Sequence, residues 1–212
     1  MKLKALSLVI AAFKAFKGFV PASAILIPGA STPLFFLVAT GPVSEGDLFL
    51  PLRLTGWSNQ ATLTGDNVIG QFYMINNSLV AEDPVNGLSS PYVYRPYVDL
   101  STKIGRDANG AYDASQNDPN DDCSATSGPL IFIQENRPDG IITVPPKCAK
   151  FNPFSLLPNP EDPQFGAKLV YNGNSTDFYS CGKGRNIYWK ANPSDEPVDC
   201  NVPVQLFTIP VV

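Results

Sequence analysis

The sequence contains no histidine among its 212 residues, and that absence removes whole classes of chemistry. Imidazole is the side chain whose ordinary pKa lies near neutrality, so Ser-His-Asp and Cys-His hydrolases and histidine-ligated zinc peptidases are excluded. Any remaining chemistry must run on carboxylates, tyrosine, lysine or a thiol. Charge is scarce as well: charged residues make up 16% of the chain against 44% hydrophobic. That balance is too apolar for a disordered polyelectrolyte and too poor in Lys and Arg for a basic nucleic-acid face. A sequence pI near 4.8 agrees. A nucleophile elbow, a P-loop, a dinucleotide fingerprint and an Asp-Thr/Ser-Gly protease signature are all missing; Cys181-Gly182-Lys183-Gly184-Arg185 has two glycines but not the rest of a phosphate loop.

Long apolar runs are missing too. Residues 1–24 read as a secretory signal: Met1-Lys2-Leu3-Lys4 is the basic start, Ala5 to Phe13 the apolar centre, and Ala22-Ser23-Ala24 a small-x-small cleavage site. Lys14 and Lys17 keep the run well short of the roughly 20 apolar residues that span a bilayer. Cleavage after Ala24 removes four lysines and no acid, leaving 11 Lys+Arg against 19 Asp+Glu, a formal charge of −8. Such a surface repels nucleic acid and anionic membranes. The mature chain, residues 25–212, is expected to be a single secreted domain.

Four cysteines in a secreted chain are expected to pair. Of the three connectivities, spacing favours Cys123 with Cys148 and Cys181 with Cys200, each closing a local loop. A four-thiolate metal site would want paired C-x-x-C spacing, which is absent. No metal or other cofactor is expected.

What the chain does contain is short β-prone runs punctuated by 21 prolines and 16 glycines. Phe35 to Ala39, Leu48 to Leu54, Val68 to Ile75, Tyr92 to Val98, Leu130 to Ile133, Ile141 to Val144, Lys168 to Tyr171, Asp177 to Cys181, Ile187 to Trp189 and Val204 to Ile209 are all of strand length. Proline at this density breaks helices but suits turns and strand edges. The fold class is therefore all-β, an antiparallel sandwich or barrel, with a trefoil-like arrangement among the options. Three hairpins are predicted: around Asn76-Asn77, around Arg137-Pro138-Asp139-Gly140, and around Asn172-Gly173-Asn174 between Lys168–Tyr171 and Phe178–Cys181.

Two of these turns carry Asn-x-Ser/Thr acceptors, Asn76-Asn77-Ser78 and Asn174-Ser175-Thr176, so Asn76 and Asn174 are candidate N-glycosylation sites. Asn152 and Asn192 are excluded because proline follows each. Residues 105–122, rich in Asp, Asn, Ser and Gly, are expected to form an acidic, solvated, flexible loop. Their carboxylates are hard oxygen donors, but their order does not fit an EF-hand. Among acid pairs, Glu135 and Asp139 could face each other across a turn, as glycosidase chemistry requires, although nothing in the sequence marks either as perturbed.

Aromatics offer a second kind of site. Tyr92-Val93-Tyr94-Arg95-Pro96-Tyr97 alternates tyrosines with a proline suggestive of an edge strand, and Trp57 lies in the polar stretch Gly56 to Gln60. Exposed rings beside polar donors stack on sugar faces, which makes Trp57, Tyr94 and Tyr97 candidate carbohydrate-binding residues; the competing reading buries them as core.

Taken in order, Phe36-Leu37-Val38-Ala39, Phe72-Tyr73-Met74 to Ser78-Leu79, Leu169 to Gly173, Phe178 to Cys181, Tyr188-Trp189-Lys190-Ala191 and Cys200 resemble fungal cell-wall mannoproteins of the PhiA type. Asn76-Asn77 stands where that family more often has an acidic residue and glycine, and the segment Tyr92 to Asp122 is longer than usual. The resemblance implies a non-enzymatic, glycosylated protein of the fungal wall, linked to asexual sporulation, with wall polysaccharide or wall proteins as partners and no catalytic residues to carry over. A lectin-like module and a secreted host-directed effector are the alternatives.

Overall fold

The computed structural model describes residues 24–41, 49–54, 60–106, 108, 112–136, 145–151, 154–160, 165–173, 178–183, 185–197 and 200–212. Among the described residues fifteen strands follow in chain order: β1 (Phe35–Thr40), β2 (Leu50–Pro51), β3 (Arg53–Leu54), β4 (Ala61–Thr62), β5 (Val68–Ile69), β6 (Gln71–Ile75), β7 (Ser78–Glu82) and β8 (Tyr92–Asp99), then β9 (Ser127–Asn136), β10 (Ala149–Lys150), β11 (Phe154–Leu157), β12 (Lys168–Tyr171), β13 (Phe178–Cys181), β14 (Asn186–Lys190) and β15 (Val202–Pro210). Every pairing is antiparallel. Eight of them close a ring, β15-β1-β6-β7-β8-β9-β14-β13 and back to β15. Closure leaves the ring no free edge, the standing hazard of an open sheet. Of the predicted architectures the barrel is the one formed, without the threefold repeat of a trefoil.

The period of two along each strand decides what fills the ring. Phe35, Leu37 and Ala39 of β1, Phe72 and Met74 of β6, Leu79 and Ala81 of β7, Leu130 and Phe132 of β9, and Val204 and Leu206 of β15 all enter one core cluster. Leu52 and Leu54, with Leu63 after β4, join it, as do Phe154, Leu169 and Tyr171 from β11 and β12. Phe72 and Phe132 meet at 5.7 Å between ring centres. Each such large apolar side chain contributes about 1.5–3 kcal/mol on burial. The barrel interior is thus a packed core.

Much of the outer face is buried too. Residues 25–34 run over the barrel beside Tyr73, Val80 and Val93, burying Ile27 and Leu34. On another side Tyr97 and Ile131 pack beneath Tyr112. Both disulfides form as spacing favoured, Cys123–Cys148 and Cys181–Cys200.

Local chemistry explains the turns. Asn76 and Asn77 have successive positive φ values of 49° and 61°, the type I′ conformation whose twist matches the flanking strands β6 and β7. Two predictions are corrected. Lys168–Tyr171 and Phe178–Cys181 do not form a hairpin: both strands lie along β15, and β13 pairs instead with β14. Proline does not place Tyr92–Val98 at an edge either, because β8 lies between β7 and β9. Yet β7 pairs with β8 only at Val93 and Tyr94, so the two strands part before Pro96 and its missing N–H forfeits no ladder bond on that side. The predicted strand Ile141 to Val144 and the turn Arg137 to Gly140 lie outside the described residues.

Candidate functional site

At the end of β8 the fully buried Asp99 carboxylate gathers four donors. Its Oδ1 accepts from the Ser101 amide at 3.0 Å and the Ser101 hydroxyl at 2.6 Å. Its Oδ2 accepts from the Tyr112 hydroxyl at 2.6 Å and Asn117 Nδ2 at 2.8 Å. The Tyr112 hydroxyl also lies 3.1 Å from that of Tyr97. Burial pushes both phenols well above the ordinary tyrosine range. Nearby, Asp121 accepts from the Thr102 amide and hydroxyl, each at 2.8 Å, and from the Cys123 amide at 2.8 Å. Donation by Cys123 and Thr102 outweighs desolvation and holds the Asp121 carboxyl below its usual range.

These bonds change the picture of residues 105–122. Tyr112 and Asp121 are buried, Ala114–Gln116 form a turn of 3₁₀ helix capped by Asp113, and Gly105 lies against the backbone of Asp113 and Gln116. The described part of the expected flexible loop is fastened to the barrel through Asp99. Its polar side chains satisfy its own backbone, and Tyr112, Asn117 and Asp121 anchor it.

The stretch Ser101–Arg106, held by Asp99 and Asp121, forms one wall of a surface cleft of about 350 Å³. Ser101, Thr102, Ile104 and Arg106 line that wall; Cys181, Gly182, Asn186 and Tyr188 of the β13–β14 hairpin line the other. Ala125, Ser127, Glu196 and Pro197 complete it. Arg106 Nη2 donates to the Tyr188 hydroxyl at 3.3 Å across the gap. Behind the Glu196–Pro197 segment, the buried Lys190 ammonium donates to the carbonyls of Asp195 at 2.7 Å and Pro197 at 3.0 Å, and sits 5.1 Å from the centre of the Tyr179 ring. Ser127 Oγ donates to the Glu196 carbonyl. One wall therefore hangs from the Cys123 bridge and the other from the Cys181 bridge, so both are held by covalent ties and buried polar bonds.

The sequence-predicted residues fall variously. Asn76 stands exposed at the tip of the β6–β7 hairpin. Asn174, Trp57 and Asp139 lie outside the described residues. Tyr94 and Tyr97 are buried, at 9% and 2% exposure, so neither offers a ring face to a sugar; Tyr94 joins the barrel core and Tyr97 is roofed by Tyr112. That corrects the aromatic stripe as a carbohydrate platform, for the alternation carried core and covered face instead. The buried Glu135 is ion-paired with Arg95, a poor setting for an acid that must give up or take a proton. Asp121, Cys123 and Cys148 lie close together, but the two sulfurs are joined and cannot act as thiolate ligands. Sequence reasoning missed the cleft, whose residues come from four separated stretches and share no motif.

No protein-family model, curated protein or solved structure matches the chain.

Proposed function

We propose that the protein is a secreted, N-glycosylated, non-enzymatic component of the fungal cell wall, held there by contacts with wall polysaccharide or wall proteins. The observation that carries the reading is the coincidence of an exposed acceptor asparagine, Asn76, at a type I′ hairpin tip with two disulfides closing loops in the same chain. Disulfides persist in oxidising compartments, and oligosaccharide transfer needs an accessible asparagine in a turn. A packed barrel interior favours a rigid structural or binding unit over a carrier of ligands in its lumen. The resemblance to PhiA-type mannoproteins supports the wall as location and asexual sporulation as context.

The experiment is expression of the full chain in a fungal host, with intact-mass analysis of the secreted product before and after enzymatic removal of N-glycans. The expected product starts at Ile25, loses mass on deglycosylation, and loses the Asn76 glycan in the Asn76→Gln variant. A product retained inside the cell, or one whose Asn76 is bare, would overturn the reading.

A further inference from the structure

We infer that the cleft between the Ser101–Arg106 wall and the β13–β14 hairpin is a binding site for a neutral saccharide, taking one or two sugar rings of a wall polymer. At about 350 Å³ it lies at the small end of the range of ligand sites. Its lining is chemically mixed in the way a sugar is. The Asn186 amide can both donate and accept, the hydroxyls of Thr102 and Ser127, whose protons go to Asp121 and the Glu196 carbonyl, keep lone pairs that accept, and Ile104 and Pro197 supply apolar surface for the C–H face of a ring.

Charge narrows the class. Among the described residues of the lining Arg106 and Glu196 are the charged ones, one of each sign, so the described lining carries no net charge to attract an ionic ligand. The chain as a whole, at a formal −4, repels polyanions. A neutral polyol meets neither obstacle.

The site is also built in advance. Asp99 and Asp121 fix Ser101 and Thr102, Lys190 fixes the carbonyls flanking Glu196, and a disulfide secures each wall. Binding therefore costs little ordering of the protein, which matters for weakly held sugars. Amid these tied groups the Asn186 side chain makes no hydrogen bond to the described residues, although it is only half-exposed and lines the cleft. A partly exposed amide that no protein group occupies is open to a ligand hydroxyl in place of water.

The inference rests on the wall reading only for the choice of sugars. It is tested on the purified full-length secreted protein by amide chemical-shift titration with mannobiose, laminaribiose and diacetylchitobiose, with digalacturonate as the charged control. A neutral disaccharide is expected to shift Ser101, Thr102, Asn186 and Tyr188 together. Asn186→Ala is expected to weaken that binding about tenfold, with its melting temperature unchanged. Arg106→Met, which removes a donor and the neutral charge balance, is expected to do the same; should that variant fail to fold, Asn186→Ala and the shift map decide. No response to any neutral disaccharide, shifts confined to another face, unaltered binding by Asn186→Ala, or equal binding of digalacturonate would overturn the inference. A negative titration leaves secretion and wall location untouched, and the reverse also holds.

Discussion

Replacing Asp99 with asparagine changes one atom in the polar centre that ties Ser101, Tyr112 and Asn117 to the barrel. Both carboxylate oxygens each accept two hydrogen bonds, from Ser101 on one side and from Tyr112 and Asn117 on the other. An amide turned either way presents an NH2 group to one hydroxyl, which can rotate to accept, and to one N–H, which cannot, so one of the four bonds becomes a donor–donor contact at a fully buried site and the others lose their charge assistance. Hydrogen bonds to a charged group are each worth about 1.5–3 kcal/mol, so Asp99→Asn is expected to cost about 4 kcal/mol. For a chain of this size that is a fall in melting temperature of about 8–16 °C. Urea unfolding of the oxidised protein, followed by circular dichroism, measures it, with an unchanged m-value identifying a pure loss of stability. Tyr112→Phe deletes only one of the donors and is expected to cost about half as much. A cost for Asp99→Asn below about 1 kcal/mol, the value of an ordinary neutral bond, would refute the claim that this carboxylate organises the loop.

Three further outcomes follow from the same structure. Stability is expected to fall at both pH extremes: burial opposes ionisation of Asp83, but hydrogen bonds from Ser90, Val85 and Asn86 outweigh it and hold its carboxyl low, as Cys123 and Thr102 do for Asp121. Their contribution is present above an ordinary carboxyl pKa of about 4 and is lost as pH falls further; the raised phenols of Tyr94, Tyr97 and Tyr112 contribute stability present below about pH 10 and lost above it. Thermal melts across pH check the sign, and phenolate absorbance from Tyr97 and Tyr112 is expected only once the chain unfolds. Gly128→Ala would drive a Cβ into the Asp99 carbonyl oxygen, and a loss of about 3 kcal/mol in urea unfolding is expected from forcing β8 and β9 apart. Reduction of Cys123–Cys148 and Cys181–Cys200, which close loops of 25 and 19 residues, is expected to cost about 3 kcal/mol for each bridge, measured by urea unfolding of the oxidised and reduced forms.

The all-β class was legible from strand-length runs separated by turn residues, whereas the choice of barrel over sandwich was not. Phe35-Phe36-Leu37-Val38-Ala39 alternates core and covered face as β1 does, and Asn76-Asn77 announced its turn by the residues that tolerate positive φ. Cysteine spacing anticipated both bridges. Long-range partners were not legible, because strand residues state which face is apolar but not which strand lies beside them; β12 and β13 follow each other in sequence, yet each turns to β15. Tyrosines misled for a related reason. Alternation is the same whether the second face meets solvent or a folded-over segment, and only the coverage by Tyr112 separates the two for Tyr97. The polar stretch before Asp122 read as solvated because its acids look like surface; its hydrogen bonds close on Asp99 and on the segment's own amides, a pattern that composition does not encode. For the cleft, Ser101, Arg106, Asn186 and Glu196 are assembled by folding alone.

The wall assignment meets its most direct test in fractionation of the native host culture into medium, detergent-extractable wall and covalently bound wall, with the chain identified by mass in each. The account predicts the disulfide-bonded, Asn76-glycosylated form concentrated in the wall fractions. Recovery of the chain only from the medium or from the cell interior would contradict it.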